Sequence, residues 1–344
     1  MNLVFPRRIG LERVSVRERA RFIKDWSKAL ASATLRRLMD RSPLPWMRID
    51  PRIKLSFVPG LDSRFIPDAD AVFATFWLTA EYVIKFPQAK GKKFYLIQGY
   101  EIWGGPKERV EATWRLSMHK VVVSNWLYDL GRTLGARPLR HIPNAVDHRH
   151  FRILDPSHAR QLSILAIYHC QPIKGSQDSL SVFRLLHERH PGISISMFGP
   201  YRRGAEIPNW IQYFQNPSQD LIRDLYNQHA IYVGSSYSEG WALPPAEAMA
   251  CGCAFVGTNI GGFRDYAING LTALLSSPGD CNAMFENLCR VIENPELLSR
   301  LRKGGTEFIR QFTWEKSGAL LEDYLHEVVD PDQRESAAAA NVVV

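Results

Sequence analysis

The run IYVGSSYSEGWALPPAEAMACGCAFVGTNIGG, from Ile231 to Gly262, limits what this chain can fold into more than any other segment. It opens as a buried apolar strand end, IYVGSS, and turns through a polar loop carrying Glu239. It then enters a helix whose start is marked by Pro244 and Pro245. Prolines there pre-set φ for a first turn and give up amides that the turn has no use for. A second short apolar strand, CAFVGT, and the Gly261-Gly262 turn follow. Strand, loop, helix, strand predicts a parallel unit, since parallel neighbours need a crossover of this kind. Such sheets bind ligands in the crevice at the carboxyl ends of their strands. Glu239 on the loop and Glu247 in the first helical turn are therefore predicted to face that crevice at different depths.

The rest of the chain keeps the same rhythm. RIKLSFVP (Arg52–Pro59), AVFAT, KKFYLIQ and KVVVSN read as buried strands of a first domain that ends after LRHIPN. A stretch from His148 to Ser163 containing Pro156 reads as a hinge. Beyond it SILAIYH, SISMFG, IQYFQ, IYVGSS, AFVGT and TALLSS alternate with helical segments. The pattern predicts an α/β protein with doubly wound parallel sheets. The division is residues 1–150, residues 151–311, a closing helix over 312–328 and a loose tail over 329–344.

The loop from Glu239 to Leu243 leaves backbone N–H groups at a helix start, where unpaired donors and the helix dipole attract phosphate. Glu247 suits the vicinal hydroxyls of a ribose, because a carboxylate accepts from both. The plainer reading is that Glu247 complements its own helix dipole and Glu239 is a solvated turn residue. Lys174-Gly175 after SILAIYH is likewise either a solvated turn or a cation beside a departing diphosphate.

These residues resemble a known signature. Glu239, Glu247 and the following AMACGCAFVGTNIGG look like the nucleotide-sugar motif of retaining glycosyltransferases of the GT-B fold, glycosyltransferase family 4. HIPNAVD, Lys174-Gly175, SISMFG, NGLTALLSSPGD and FTWEKSGALLEDYL agree in order. YLIQGYEIW is similar to a segment of bacterial enzymes that build surface polysaccharides. The resemblance implies two Rossmann-like domains facing a cleft, with the C-terminal helix crossing back to the first and Trp314 and the face through Leu320, Leu321 and Tyr324 at that junction. It implies a nucleotide-diphosphate sugar as donor and a saccharide or lipid-linked glycan as acceptor, with no cofactor and no metal. It implies that Glu247 binds ribose, Glu239 a sugar hydroxyl, and Lys174 with Gly175 the diphosphate. Gly240, Trp241, Ala242 and Leu243 would hold the terminal phosphate.

The sequence departs from that pattern in three places. Tyr168 and His169 stand where the family places an arginine, so one positive charge on the diphosphate is missing unless Arg202 or Arg203 reaches in. Gln98, Tyr100 and Glu101 stand where many members use a histidine on the acceptor side. The opening MNLVFPRRIGLERV offers only Gly10 in place of a Gly-rich loop. A non-catalytic nucleotide-sugar-binding or scaffold protein of the same fold is the other reading these departures allow.

Charge is unevenly placed. Residues 1–54 hold fourteen Lys or Arg and five Asp or Glu, a net of +9, against +8 for the whole chain, so the remainder is −1. Within that opening Phe22, Ile23, Trp26 and Leu30 share one helical face among basic residues. Such a face can lie on an anionic membrane or pack on the first sheet. No nucleic-acid recognition motif accompanies the charge, so no nucleic-acid partner is expected. No apolar run has the length of a membrane span or a signal peptide. A cytoplasmic protein, peripheral to the membrane at most, is expected, with its five cysteines reduced. Asp68-Ala69-Asp70 reads as a strand-entry turn and not a metal motif.

Overall fold

The computed structural model describes residues 1–6, 50–58, 60–155 and 160–330. The basic face around Trp26, the hinge residue Pro156 and the tail beyond Asp330 lie outside the described residues. The first domain holds β1 (Asn2–Pro6), β2 (Lys54–Val58), β3 (Ala71–Ala74), α1 (Trp77–Val83), β4 (Lys92–Ile97), α2 (Lys107–Trp114), β5 (His119–Val122), α3 (Asn125–Thr133) and β6 (Leu139–His141). The second holds β7 (Ser163–Ile167), α4 (Ser176–Arg189), β8 (Ser194–Gly199), β9 (Gln212–Gln215), α5 (Gln219–Gln228), β10 (Ile231–Gly234), α6 (Leu243–Ala250), β11 (Ala254–Thr258), α7 (Gly261–Arg264), β12 (Ala273–Ser276), α8 (Cys281–Glu293) and α9 (Pro295–Ile309). A last helix, α10 (Trp314–Val329), closes the described chain.

All described strand pairs are parallel. The first domain carries a four-stranded sheet in the order β3-β4-β5-β6. Strands β1 and β2 form a separate pair, with Phe5 stacked on Phe57 at 5.6 Å. The opening residues are thus a strand, but one that joins β2 and not the main sheet. The second sheet has the order β12-β11-β10-β7-β8-β9. Its chain runs from β7 outward to β9 and then returns to lay β10 on the other flank of β7. The strand order reverses between β7 and β10, and that reversal opens a crevice at their carboxyl ends.

Burial explains the continuous apolar runs. Ile164 and Ala166 face the helix layer of α4 and α8, while Leu165 faces the opposite way with Phe198, Tyr232 and Phe255. Both faces of a parallel sheet are covered, so its strands need not alternate with polar residues. Side-chain caps mark four helix starts: Ser218, Asp280, Asn294 and Thr313 each accept from an amide three residues on.

Helix α10 returns to the first domain. The Tyr324 ring meets Phe94 edge-on at 5.7 Å, and the Arg140 guanidinium lies 4.7 Å from its centroid. Ser317 Oγ donates to Pro143 O at 2.7 Å. The contact face is Ser317, Leu321, Tyr324 and Val328, one stripe of a 3.6-residue period. Trp314 and Leu320, expected at this junction, are instead exposed: each flanks that stripe, Trp314 at the first residue of the helix and Leu320 at its margin. Asp70 enters β3 as expected, with its carbonyl accepting from Lys92 and Asp68 paired to Lys90 at 2.7 Å. The five cysteines are free thiols, and of these only Cys170 is exposed. No described helix is long and apolar enough to cross a membrane.

Candidate functional site

The loops that leave β7 and β10 are fastened to each other. Tyr237 N–H donates to Ile173 O at 2.8 Å, and Ser235 Oγ donates to Gly175 O at 2.7 Å. Ser235 Oγ also lies 2.7 Å from Ser179 Oγ. Gly175 has φ +63°, and a Cβ there would stand 2.0 Å from Ser235 O, so only glycine lets the loops close this far. The consequence is a contact between the two predicted groups. Lys174 Nζ donates to both oxygens of Glu239, at 2.7 and 2.9 Å. Ser236 Oγ adds a bond to Glu239 Oε1 at 2.9 Å, and Thr258 holds the Ser236 carbonyl from β11. Lys174 and Glu239 therefore meet at the strand reversal.

Glu247 belongs to the same neighbourhood. Helix α6 begins at Leu243, so Glu247 lies in its second turn and not its first. Burial pushes its carboxyl up to about 7, although the Tyr226 hydroxyl donates to it at 3.3 Å. The buried phenols of Tyr232 and Tyr266 are raised first by burial, and both Glu239 and Glu247 add to that. Both carboxylates are therefore within electrostatic reach of the same two phenols. On the outer side of the β7 loop lies a cavity of about 510 Å³ lined by Tyr168, His169, Gln171, Gly175, Asp178 and Tyr237. It adjoins Lys174 but does not include either carboxylate.

Several expected contributors are engaged elsewhere. Arg203 donates to the carbonyls of Ile211 at 3.0 Å, Ile207 at 3.2 Å and Pro208, which turns it away from Lys174. Arg202 is exposed. Tyr168 is buried and its hydroxyl donates to Glu206, so it offers no hydrogen to a phosphate. The adjacent His169 faces the site more directly. Burial lowers its pKa, Lys174 lowers it further and Glu239 opposes, leaving a neutral imidazole at neutral pH. The Trp241 side chain is core, packed against Tyr266 at 4.9 Å and Phe312 at 5.6 Å. Ala242 N–H points at Gly262 O over a long 3.4 Å, while Leu243 is partly exposed at the helix start.

On the first domain, Glu101 is not presented to an acceptor. It is 7% exposed, and its Oε2 accepts from Trp77 N–H at 2.7 Å, at the start of α1. Burial pushes Glu101 to about 7, against the bonds from Trp77 and Tyr95. Tyr100 donates its hydroxyl to Glu111. Gln98 is exposed, and its carbonyl abuts Gly240 across the cleft: a Cβ on Gly240 would stand 1.6 Å from Gln98 O.

Two residues that carry no motif complete the crevice. Trp126 at the start of α3 donates from Nε1 to Gly240 O at 2.9 Å. Asp265 of the second domain accepts from the Asn125 backbone at 3.2 and 3.3 Å. Neither carries a local sequence signal, since each is placed by contact with the other domain. One mixed group of possible metal ligands, His190, Cys289 and Glu293, occurs among the described residues. It sits at the far end of α4 from the crevice, and Arg189 already binds Glu293 at 3.1 Å.

Comparison with known proteins agrees with this geometry. The sequence model of the family described as glycosyl transferases group 1 matches residues 157–308, which hold Lys174, Glu239 and Glu247. An uncharacterised glycosyltransferase of Methanocaldococcus jannaschii is 31% identical over 31% of this chain and 30% of its own length. A capsular polysaccharide biosynthesis glycosyltransferase, CapM of Staphylococcus aureus, is 23% identical over 45% of this chain and 44% of its own. The chain therefore spans less than half the length of either curated relative. The solved structure of Anabaena HepE in complex with UDP-glucose superposes with a TM-score of 0.65 at 15% identity, covering 75% of this chain and 79% of that one. The fold is that of the GT-B glycosyltransferases, two Rossmann-like domains built on parallel sheets.

Proposed function

We propose that the chain is a retaining glycosyltransferase that moves a sugar from a nucleotide-diphosphate donor to a saccharide or lipid-linked acceptor. The observation that carries this reading is the Lys174–Glu239 contact at the reversal of strand order, with Glu247 in the next helix. A cation beside a carboxylate at that position fits a donor whose diphosphate takes the ammonium and whose sugar hydroxyl takes the carboxylate. The ammonium then stabilises charge that grows as the glycosidic bond breaks, so its effect falls on the transition state. In the balanced step the C1–O bond to phosphate breaks and a bond forms from the acceptor oxygen to C1. The acceptor proton passes to the departing phosphate oxygen on the same face. No protein nucleophile or metal is assigned a part in this step.

The reading extends to cell-surface polysaccharide synthesis, supported by the likeness to CapM of Staphylococcus aureus. A thermal-shift screen of the full chain against UDP-, GDP-, TDP- and ADP-sugars tests it. One nucleotide series is expected to stabilise the fold, and Glu239→Gln is expected to lose transfer while still binding the free nucleotide. Stabilisation by none of them would sink the donor assignment. Binding without any nucleotide release in the presence of acceptor extracts would assign the scaffold reading instead.

A further inference from the structure

The loop that carries Glu239 is held from both sides of the cleft. On its own domain it leans on the glycine pair: a Cβ on Gly262 would lie 2.5 Å from Glu239 Cβ and 2.5 Å from Glu239 O. From the first domain, Trp126 Nε1 donates to Gly240 O at 2.9 Å. The same side chain is packed against Gly261, where a Cβ would stand 2.4 Å from its Cγ. Beside it, the Asn125 amide and side chain donate to Asp265, whose own side chain is nearly enclosed, at 3.2 to 3.3 Å. The start of α3 therefore touches the Glu239 loop and the Gly-Gly turn behind it together.

We propose that Trp126 is a positioning residue, which fixes the Glu239–Gly240 loop from the acceptor side of the cleft. It touches no reacting atom. Its effect is to make the geometry of Glu239 depend on the two domains being docked, so that the donor-side carboxylate is placed only when the acceptor domain is in contact. The proposal rests on the donor reading for its functional consequence, though not for the contact itself. A carboxylate displaced by about 1 Å loses much of its advantage in orienting a substrate.

The test compares the full chain with Trp126→Phe, which keeps a ring on Gly261 and removes the N–H. Hydrogen exchange at the amides of residues 239–243 is expected to speed up by roughly three- to ten-fold, as for loss of one bond of ordinary strength. Exchange within β7 and β10 should not change. With UDP and UDP-glucose as probes, the variant is expected to keep its affinity for UDP within about two-fold. It should lose the affinity that the attached glucose adds. Gly261→Ala, which displaces the indole without altering it, should reproduce the exchange result. Wild-type exchange at residues 239–243 in both variants overturns the proposal. A wild-type chain that binds neither probe counts against the donor reading, and the exchange measurement then decides the positioning role alone.

Discussion

At the scale of one residue, Glu247 sets stability against binding. Its carboxyl is raised by burial to about 7, from an ordinary value of 4.5. The unfolded chain therefore releases this proton at lower pH than the folded chain does. Between those two values the folded state binds more protons, so stability falls as pH rises through the interval. The contribution is fully present below the lower value and gone above the higher. Glu247→Gln is expected to stabilise the ligand-free chain at pH 8 by on the order of 1–3 kcal/mol, with the difference vanishing near pH 4. The same change should weaken nucleotide binding by roughly ten-fold or more, since a charge-assisted acceptor is lost. Wild-type affinity should rise with pH through about 7 as the carboxylate ionises. Melting curves across pH and calorimetric titration with nucleotide check both halves. A variant that melts like wild type at pH 8 would show that Glu247 is better solvated than its surroundings indicate.

At the scale of elements, helix α10 ties the two ends of the described chain together through one aromatic. Tyr324 is 4% exposed and touches Phe94, His119 and Arg140, while Leu320, one turn earlier at the margin of that face, is 46% exposed. Tyr324→Ala is expected to cost about 3 kcal/mol in urea denaturation, as for a large core truncation. Leu320→Ala should fall within about 0.5 kcal/mol of wild type. Equal effects would mean that the helix docks in another register. Both the helix and its return to the first domain were expected from the resemblance that FTWEKSGALLEDYL carries. Leu321 and Tyr324 meet the sheet as expected and Trp314 and Leu320 do not, since all four are large and apolar or aromatic and composition does not say which of them face inward. The same distinction runs through the site. Lys174, Gly175, Glu239 and Glu247 carry local signals, because strand ends and glycines fix where the chain turns. Arg203, Tyr168, Glu101 and Trp241 carry no such signal, and their partners lie in other loops: backbone carbonyls near Ile207, Glu206, the Trp77 amide and Phe312. Residue type alone gave no means of separating a group aimed at the crevice from one already satisfied.

At the scale of the whole molecule, the site is shaped by the approach of two backbones that no local pattern records. Gly240 belongs to the second domain and Gln98 to the first, yet a Cβ on Gly240 would stand 1.6 Å from Gln98 O and 2.6 Å from its carbonyl carbon. Main chain at the end of a buried parallel strand has little freedom to yield, because β4 is held by hydrogen bonds on both edges. The methyl of Gly240→Ala must therefore be accommodated by moving one domain away from the other. That motion carries Trp126 off Gly240 and Asn125 off Asp265, so the whole cross-cleft set is lost together. Small-angle scattering of this variant is expected to give a larger radius of gyration than wild type. Sugar transfer should fall by about 100-fold or more, as reacting groups are separated by an ångström or so. Nucleotide affinity should change far less, since Lys174 and Glu247 lie within the second domain. Adding Gln98→Ala should not rescue the variant, because the obstacle is the main-chain carbonyl and not the side chain. Wild-type scattering and transfer in Gly240→Ala would mean that the domains are not apposed in this way in solution, and the cross-cleft contacts would then have no bearing on the reaction.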